Sequence, residues 1–180
     1  MQSEDGPPRK LLIGIAVFGA IAVLAVLFGV LKYAHLRDDS RPIVVPDIPS
    51  PQANSPKCID MSKAYPVGMA GDWKRVEIVQ PAPASVAAWR RGNDSVVARC
   101  GVDRPAEFAV GTSVAQVNGV QWFRVTDAAI GVTTWFAVDR GVYIALTTPD
   151  SSGSEPLTEM SNAITKVLPA VTPDPAPLPR

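Results

Sequence analysis

The stretch from Leu11 to Leu31, LLIGIAVFGAIAVLAVLFGVL, carries no charged or strongly polar side chain. A helix rises about 1.5 Å per residue, so roughly 20 apolar residues cross the ~30 Å hydrocarbon core of a bilayer. The pattern predicts one transmembrane helix over residues 11–31, preceded by a short cytoplasmic tail over residues 1–10. The run is too long for the apolar region of a cleaved signal peptide, and KYAHLRDDS after it offers no small-x-small cleavage site. Ala16 with Ala20 and Ala25 with Gly29 have the spacing of close helix pairing. A span this rich in small residues yields such pairs by chance, so no pairing face is inferred.

After the span the pattern changes. RPIVVPDIPSPQANSP, from Arg41 to Pro56, is interrupted by prolines, which favour extended, solvated backbone. Residues 32–56 are therefore expected to be a spacer. A folded unit is expected over residues 57–168. It opens with Cys58, Met61 and Tyr65 at i, i+3 and i+7, a short helix. KRVEIV then alternates, with Val76 and Ile78 on one face. SVAAWRR and SVVARCGV flank Gly92-Asn93-Asp94 as a hairpin. SVAQV and VQWFRV flank Asn118-Gly119, residues that take the positive φ of a type I′ turn. VTTWFAV and VYIALTT flank Asp139-Arg140-Gly141 as a further hairpin. Pairing Val138 with Val142 there sets Phe136 against Ile144 and Thr134 against Leu146 on a core-facing side, leaving Trp135 and Tyr143 on the other. Leu157, Met160, Ile164, Val167 and Leu168 make one helical stripe, with Ser154 placed to cap its start. The proline-rich remainder, residues 169–180, is expected to be a disordered tail. The fold class that results is α+β: a mainly antiparallel sheet of hairpins with the terminal helices on one face.

Charge narrows the partners. Lys+Arg and Asp+Glu both number 17, giving a formal net charge of zero, without the basic excess of a nucleic-acid binder. Around the span the basic residues nearly balance: Arg9 and Lys10 before it, Lys32, Arg37 and Arg41 after it. The positive-inside count leans slightly against a C-terminal domain outside, and so near a balance does not by itself orient the chain.

The cysteines do. The chain has 2, Cys58 and Cys100. A redox pair is usually close in sequence, and a structural zinc site takes about four ligands. The lone histidine, His35, lies beside the span. A structural disulfide is the reading left, and it needs an oxidising compartment. The folded unit is thus expected outside the plasma membrane; two buried reduced thiols in a cytosolic domain are the alternative.

Without a histidine in the folded unit, Ser-His-Asp and Cys-His machinery is excluded. No phosphate loop, calcium loop or metal set is present, so no cofactor and no metal are expected. Asp94, Asp127 and Asp139 sit in predicted turns, where Asp serves the local backbone. One surface invites a binding role: Trp89, Arg90, Arg91, Arg99, Trp122, Arg124, Trp135 and Tyr143. Aromatics beside arginines suit sugar, peptide or anionic-polymer contacts. The plainer reading, which we favour, makes the tryptophans packing residues and the arginines solvated.

Cys58, Trp89, Arg99-Cys100-Gly101-Val102, Pro105, Asn118-Gly119-Val120 with Trp122, Trp135, Asp139-Arg140, Tyr143 and Pro149 together resemble an actinobacterial family of small secreted or membrane-anchored proteins of unknown function. Mycobacterial members are similar in layout. The resemblance covers most of residues 57–168 and implies an extracytoplasmic domain with paired cysteines; it assigns no catalytic residue. WRRGND is more basic than the turn the family leads one to expect.

The function expected is non-enzymatic: a single-pass, membrane-anchored cell-envelope module that binds an envelope protein or a cell-wall polymer. The alternatives are a carboxylate-dependent hydrolase or transferase and a small subunit of a membrane complex. The first predicts that acidic residues converge in a pocket.

Overall fold

The computed structural model describes residues 9–38, 41–83 and 85–177. Most of the expected N-terminal tail, and the last residues of the proline-rich tail, lie outside them. Two units separate at Asp38. The first is helix α1, Arg9–Asp38, whose segment Leu12–Tyr33 is long and apolar enough to cross a membrane.

The second unit is α+β. Helix α2 spans Pro56–Ala64 and is capped by Ser55, whose hydroxyl accepts from the Cys58 amide. Strands β1 (Gly68–Met69), β2 (Trp73–Val76), β3 (Val86–Arg91), β4 (Asp94–Val102), β5 (Ala115–Val117), β6 (Val120–Asp127), β7 (Val132–Ala137) and β8 (Tyr143–Pro149) precede helix α3, Glu155–Val167. The strands form one 8-stranded sheet in the order β1-β2-β3-β4-β8-β7-β6-β5. Every ladder is antiparallel. Two meanders are therefore joined at the β4–β8 pair.

Alternation within each strand explains the layers. Ala87, Trp89, Ala98, Cys100, Trp122, Ile144 and Leu146 point to one face, where they pack against Met61 of α2 and Leu157, Met160 and Ile164 of α3. Trp122 donates from Nε1 to the Ser161 hydroxyl at 2.9 Å. The Cys58–Cys100 disulfide ties α2 to β4, with Cα atoms 5.4 Å apart. Three details of the sequence reading change. Val167 is 36% exposed and does not join the α3 stripe; Ala163 and Ser161, both buried, complete it. Ser154 stands at the α3 N-cap in αR backbone and makes no side-chain capping bond.

The turns follow their residues. Val117 pairs with Val120 across Asn118 and Gly119, both at positive φ. Arg91 pairs with Asp94, which tightens the first hairpin to Gly92-Asn93. The β7–β8 hairpin differs from expectation by one residue. Ala137 pairs with Ile144, Phe136 with Ala145 and Trp135 with Leu146. A slip of one position turns the β7 side chains over, while Ile144 and Leu146 of β8 stay on the helix side, so Trp135 packs on the helix side and Phe136 on the other. The loop itself sets this register. Asp139 and Arg140 are buried as an ion pair at 3.0 Å. Arg140 also donates to the Gly119 carbonyl at 2.6 Å, and its own carbonyl accepts from Lys57 at 3.0 Å. Asp139 is thus a buried charge partner rather than a turn residue serving its own backbone.

The proline-rich segments belong to the domain. Ile43, 8% exposed, bridges to Ile78: its amide donates to the Glu77 carbonyl and its carbonyl accepts from Val79, each at 2.9 Å. At the other end Ala176 bridges to Ala109, donating to Phe108 and accepting from Val110, each at 2.9 Å. Proline has no N–H to donate, so these runs cannot build a ladder. Ile43 and Ala176 each supply the donor that neighbouring prolines lack, and the segments lie down as straps with single bridges. That is why 41–56 is not a free spacer and 169–177 not a free tail.

Candidate functional site

The sheet face away from the helices is covered in two pieces. Ile43 and Val45 of the N-terminal strap cover Val76, Val86, Ala88 and Val97 on one half. On the other half the β4–β5 connection lays Phe108 over Phe123 and Val138, its ring 5.4 Å from that of Phe123. Between the covers lies a cleft of about 320 Å³, mostly apolar. That is within the range of small-molecule sites.

The ladder registers build its floor. Val86, Arg99, Ala145, Phe136 and Phe123 stand opposite one another in a row across β3, β4, β8, β7 and β6. Ala145 sits between the long side chains of Arg99 and Phe136, and its missing atoms are the hollow. The next row carries Val97, Thr147 and Thr134, whose two threonine hydroxyls bond to each other at 3.0 Å. The walls are Ile48 and Pro49 of the strap, Val102 at the end of β4, and Asp103 and Pro105 of the connection.

Arg99 is the charged group of the floor. It is 4% exposed and donates to the Pro46 carbonyl at 3.4 Å. Among the described residues no carboxylate lies within ion-pairing distance of it. Burial lowers its pKa from the ordinary guanidinium value, and the Tyr65 phenol opposes that shift. A guanidinium stays protonated in proteins, so this is a buried cation without a described counter-charge.

The residues expected to share one surface are divided: Trp122, Arg124 and Trp135 line one hollow beside Thr112–Ala115, and the others lie apart from it. Trp89 and Trp122 are fully buried on the helix side; Trp89 donates from Nε1 to the Pro66 carbonyl at 3.0 Å. Arg91 lies over the Trp73 ring at 4.3 Å and donates to the Ser151 carbonyl. Arg124 lies over Trp135 at 5.8 Å, on the same side as Trp122. Arg90 stands opposite Lys74 and Ser95. Tyr143 donates to the Asp174 carbonyl at 2.9 Å in the C-terminal strap. Arg99 alone of the set lines the cleft. The β4–β8 ladder puts Ala145 and Thr147 beside Arg99, and only the observed β7–β8 register adds Phe136 to them. The walls went unnoticed because proline-rich text gives no periodicity to read.

The four aspartates Asp94, Asp103, Asp127 and Asp139 do not converge. Asp94 accepts from Ser151 at 2.9 Å, and Asp127 accepts from the Ala129 amide in its own turn. Asp103 is exposed at the cleft rim, and Asp139 is buried with Arg140. Among the described residues no group of three or more His, Cys, Asp or Glu is placed to hold a metal.

No curated protein and no solved structure is significantly similar to the chain. The sequence pattern of one family, described as a protein of unknown function (DUF3515), matches residues 17–173, a range that includes α1 in part, the N-terminal strap and the first residues of the C-terminal strap. With most of its length matched, the chain belongs to the DUF3515 family.

Proposed function

We propose that this protein is a single-pass membrane-anchored, non-enzymatic binding module of the cell envelope, with its disulfide-bonded domain on the extracytoplasmic side. The observation that carries the reading is the cleft over β4, β8 and β7: a preformed apolar hollow with one buried cation, walled by chain from both sides. Apolar pockets with a few fixed polar groups are the usual form of small-ligand sites. The apolar α1 supports an anchor. The Cys58–Cys100 bond supports an oxidising compartment. The separate placement of these four aspartates supports a binding role over a carboxylate-dependent hydrolase, which works with a paired acid and base.

The substitution Ala145→Cys tests both parts, because it puts a reduced thiol on the cleft floor. A membrane-impermeant thiol reagent is expected to label it on intact cells, and more slowly than on delipidated protein, since an occupant shields it. Labelling only after lysis would put the domain in the cytoplasm. Equal rates before and after delipidation would mean an empty cleft.

A further inference from the structure

We infer that the cleft takes a fatty carboxylate: one alkyl chain along the apolar floor, its carboxylate on the Arg99 guanidinium. This rests on the reading of the cleft as a ligand site. The first argument is charge complementarity. Arg99 is buried, lines the cleft and has no carboxylate within ion-pairing distance among the described residues. A buried ion without a counter-charge is costly. A guanidinium presents a planar fork of donors that matches an oxyanion in two parallel bonds.

The second argument fixes the head group at a single negative charge. One arginine lines the cleft, and Asp103 stands on its wall. A phosphate monoester carries about −1.5 to −2 at neutral pH, more than this guanidinium offsets. A carboxylate carries one charge. The third argument separates an alkyl chain from a peptide. The floor strands β4, β8 and β7 are interior strands of the sheet, each paired on both sides. Their backbone groups are taken up by the ladders. The Thr134 and Thr147 hydroxyls are bonded to each other. A peptide backbone laid in the cleft would find few partners there, whereas a methylene chain needs none. Ala145 between Arg99 and Phe136 leaves room for such a chain directly beside the cation.

The test uses the full chain in its membranes and two photoreactive probes of equal length, a diazirine-bearing decanoate and the corresponding decanol. Cross-linked peptides are mapped by mass spectrometry, and α1, which both probes reach through the bilayer, is the internal reference. The decanoate probe is expected to mark the peptides that carry Thr134–Phe136 and Ala145–Thr147 at least about tenfold more than the decanol probe, the ratio that a charge-assisted bond implies. Octanoate is expected to compete, and octyl glucoside not. Arg99→Gln is expected to reduce decanoate marking to the decanol level. Should that variant fold poorly, the comparison of the two head groups on the unmutated chain stands by itself.

Equal marking of the cleft by both probes would overturn the carboxylate and leave the ligand site standing. Stronger competition by octyl phosphate, or by a short peptide with an apolar C-terminal residue, would overturn the choice of head group or of chain. Marking of α1 alone by both probes would remove the fatty carboxylate, and with an unshielded Ala145→Cys thiol it would remove the ligand site too.

Discussion

The carbonyl of Gly101 accepts a hydrogen bond from the Gln52 amide at 3.0 Å, and this bond fastens the N-terminal strap to the central strand. Gly101 has φ +87° and sits where the β4–β8 register shifts between Cys100 and Val102. A Cβ at this position would run into the backbone of Gln52 and Ala53. Only glycine accommodates both the dihedral and the approach. The strap bears Ile48 and Pro49, so the wall of the cleft depends on the absence of one methyl group.

Gly101→Ala is therefore expected to lower stability by about 2 kcal/mol or more, the sum of left-handed strain and a displaced backbone. Hydrogen exchange is expected to rise in residues 46–55 and to stay unchanged in α3. Uniform exchange across the chain would show that the strap does not depend on Gly101.

The disulfide closes a loop of about 40 residues, worth about 4 kcal/mol in the chain-entropy account. A domain of this kind has only about 5–15 kcal/mol in total. Cys100→Ser is expected to remove most of that contribution, read as a lower denaturant midpoint with a steeper slope, because the unfolded chain is no longer cross-linked. Reductant should do the same to the unmutated chain and nothing further to the variant. An unchanged midpoint would mean that the bond does not form.

Asp139 and Arg140 form an ion pair buried to 2% side-chain exposure on each partner. Replacing one partner leaves a buried charge alone, which costs about 3–5 kcal/mol. Arg140→Met is expected to fall in that range and to loosen the β7–β8 loop. Asp139→Leu with Arg140→Met together should cost clearly less than the sum of the singles. Additive costs would show that the two side chains do not act as a pair.

Tyr65 is 4% exposed and donates its hydroxyl to the Ser85 carbonyl at 2.9 Å. Burial raises its pKa well above the ordinary tyrosine value, with Arg75 and Arg99 opposing. The folded pKa lies above the unfolded one, so the stability is fully present below about pH 10 and is lost as pH rises past that value. Tyr65→Phe is expected to be less stable at neutral pH by about 1 kcal/mol, for the lost bond, and to show a weaker alkaline decline. An equally steep decline in the variant would assign it to other groups.

What could be read from the text was whatever has a period or a turn residue. Leu157, Met160 and Ile164 announced α3, Asn118-Gly119 announced its hairpin, and the cysteine pair was left standing once metal and redox roles failed. The register of β7 and β8 was not legible, because Val138 and Val142 are apolar on either choice. The buried Asp139–Arg140 pair decides it through contacts with Gly119 and Lys57 that are remote in sequence. The straps were not legible either. Ile43 and Ala176 each act through one bridge, and a single bridge leaves no pattern. The cleft is made largely by those unread parts, so of its residues only Arg99 belongs to the surface the sequence suggests for binding.

The central claim is that the hollow over Ala145 holds a small ligand, and filling the hollow tests it most directly. The full chain, taken from its membranes under mild conditions, would be weighed by native mass spectrometry beside Ala145→Trp, with melting temperature checked for both. The account predicts a small-molecule adduct on the unmutated protein that is lost on denaturation and absent from the variant at similar melting temperature. No adduct on either, or the same adduct on both, would contradict it.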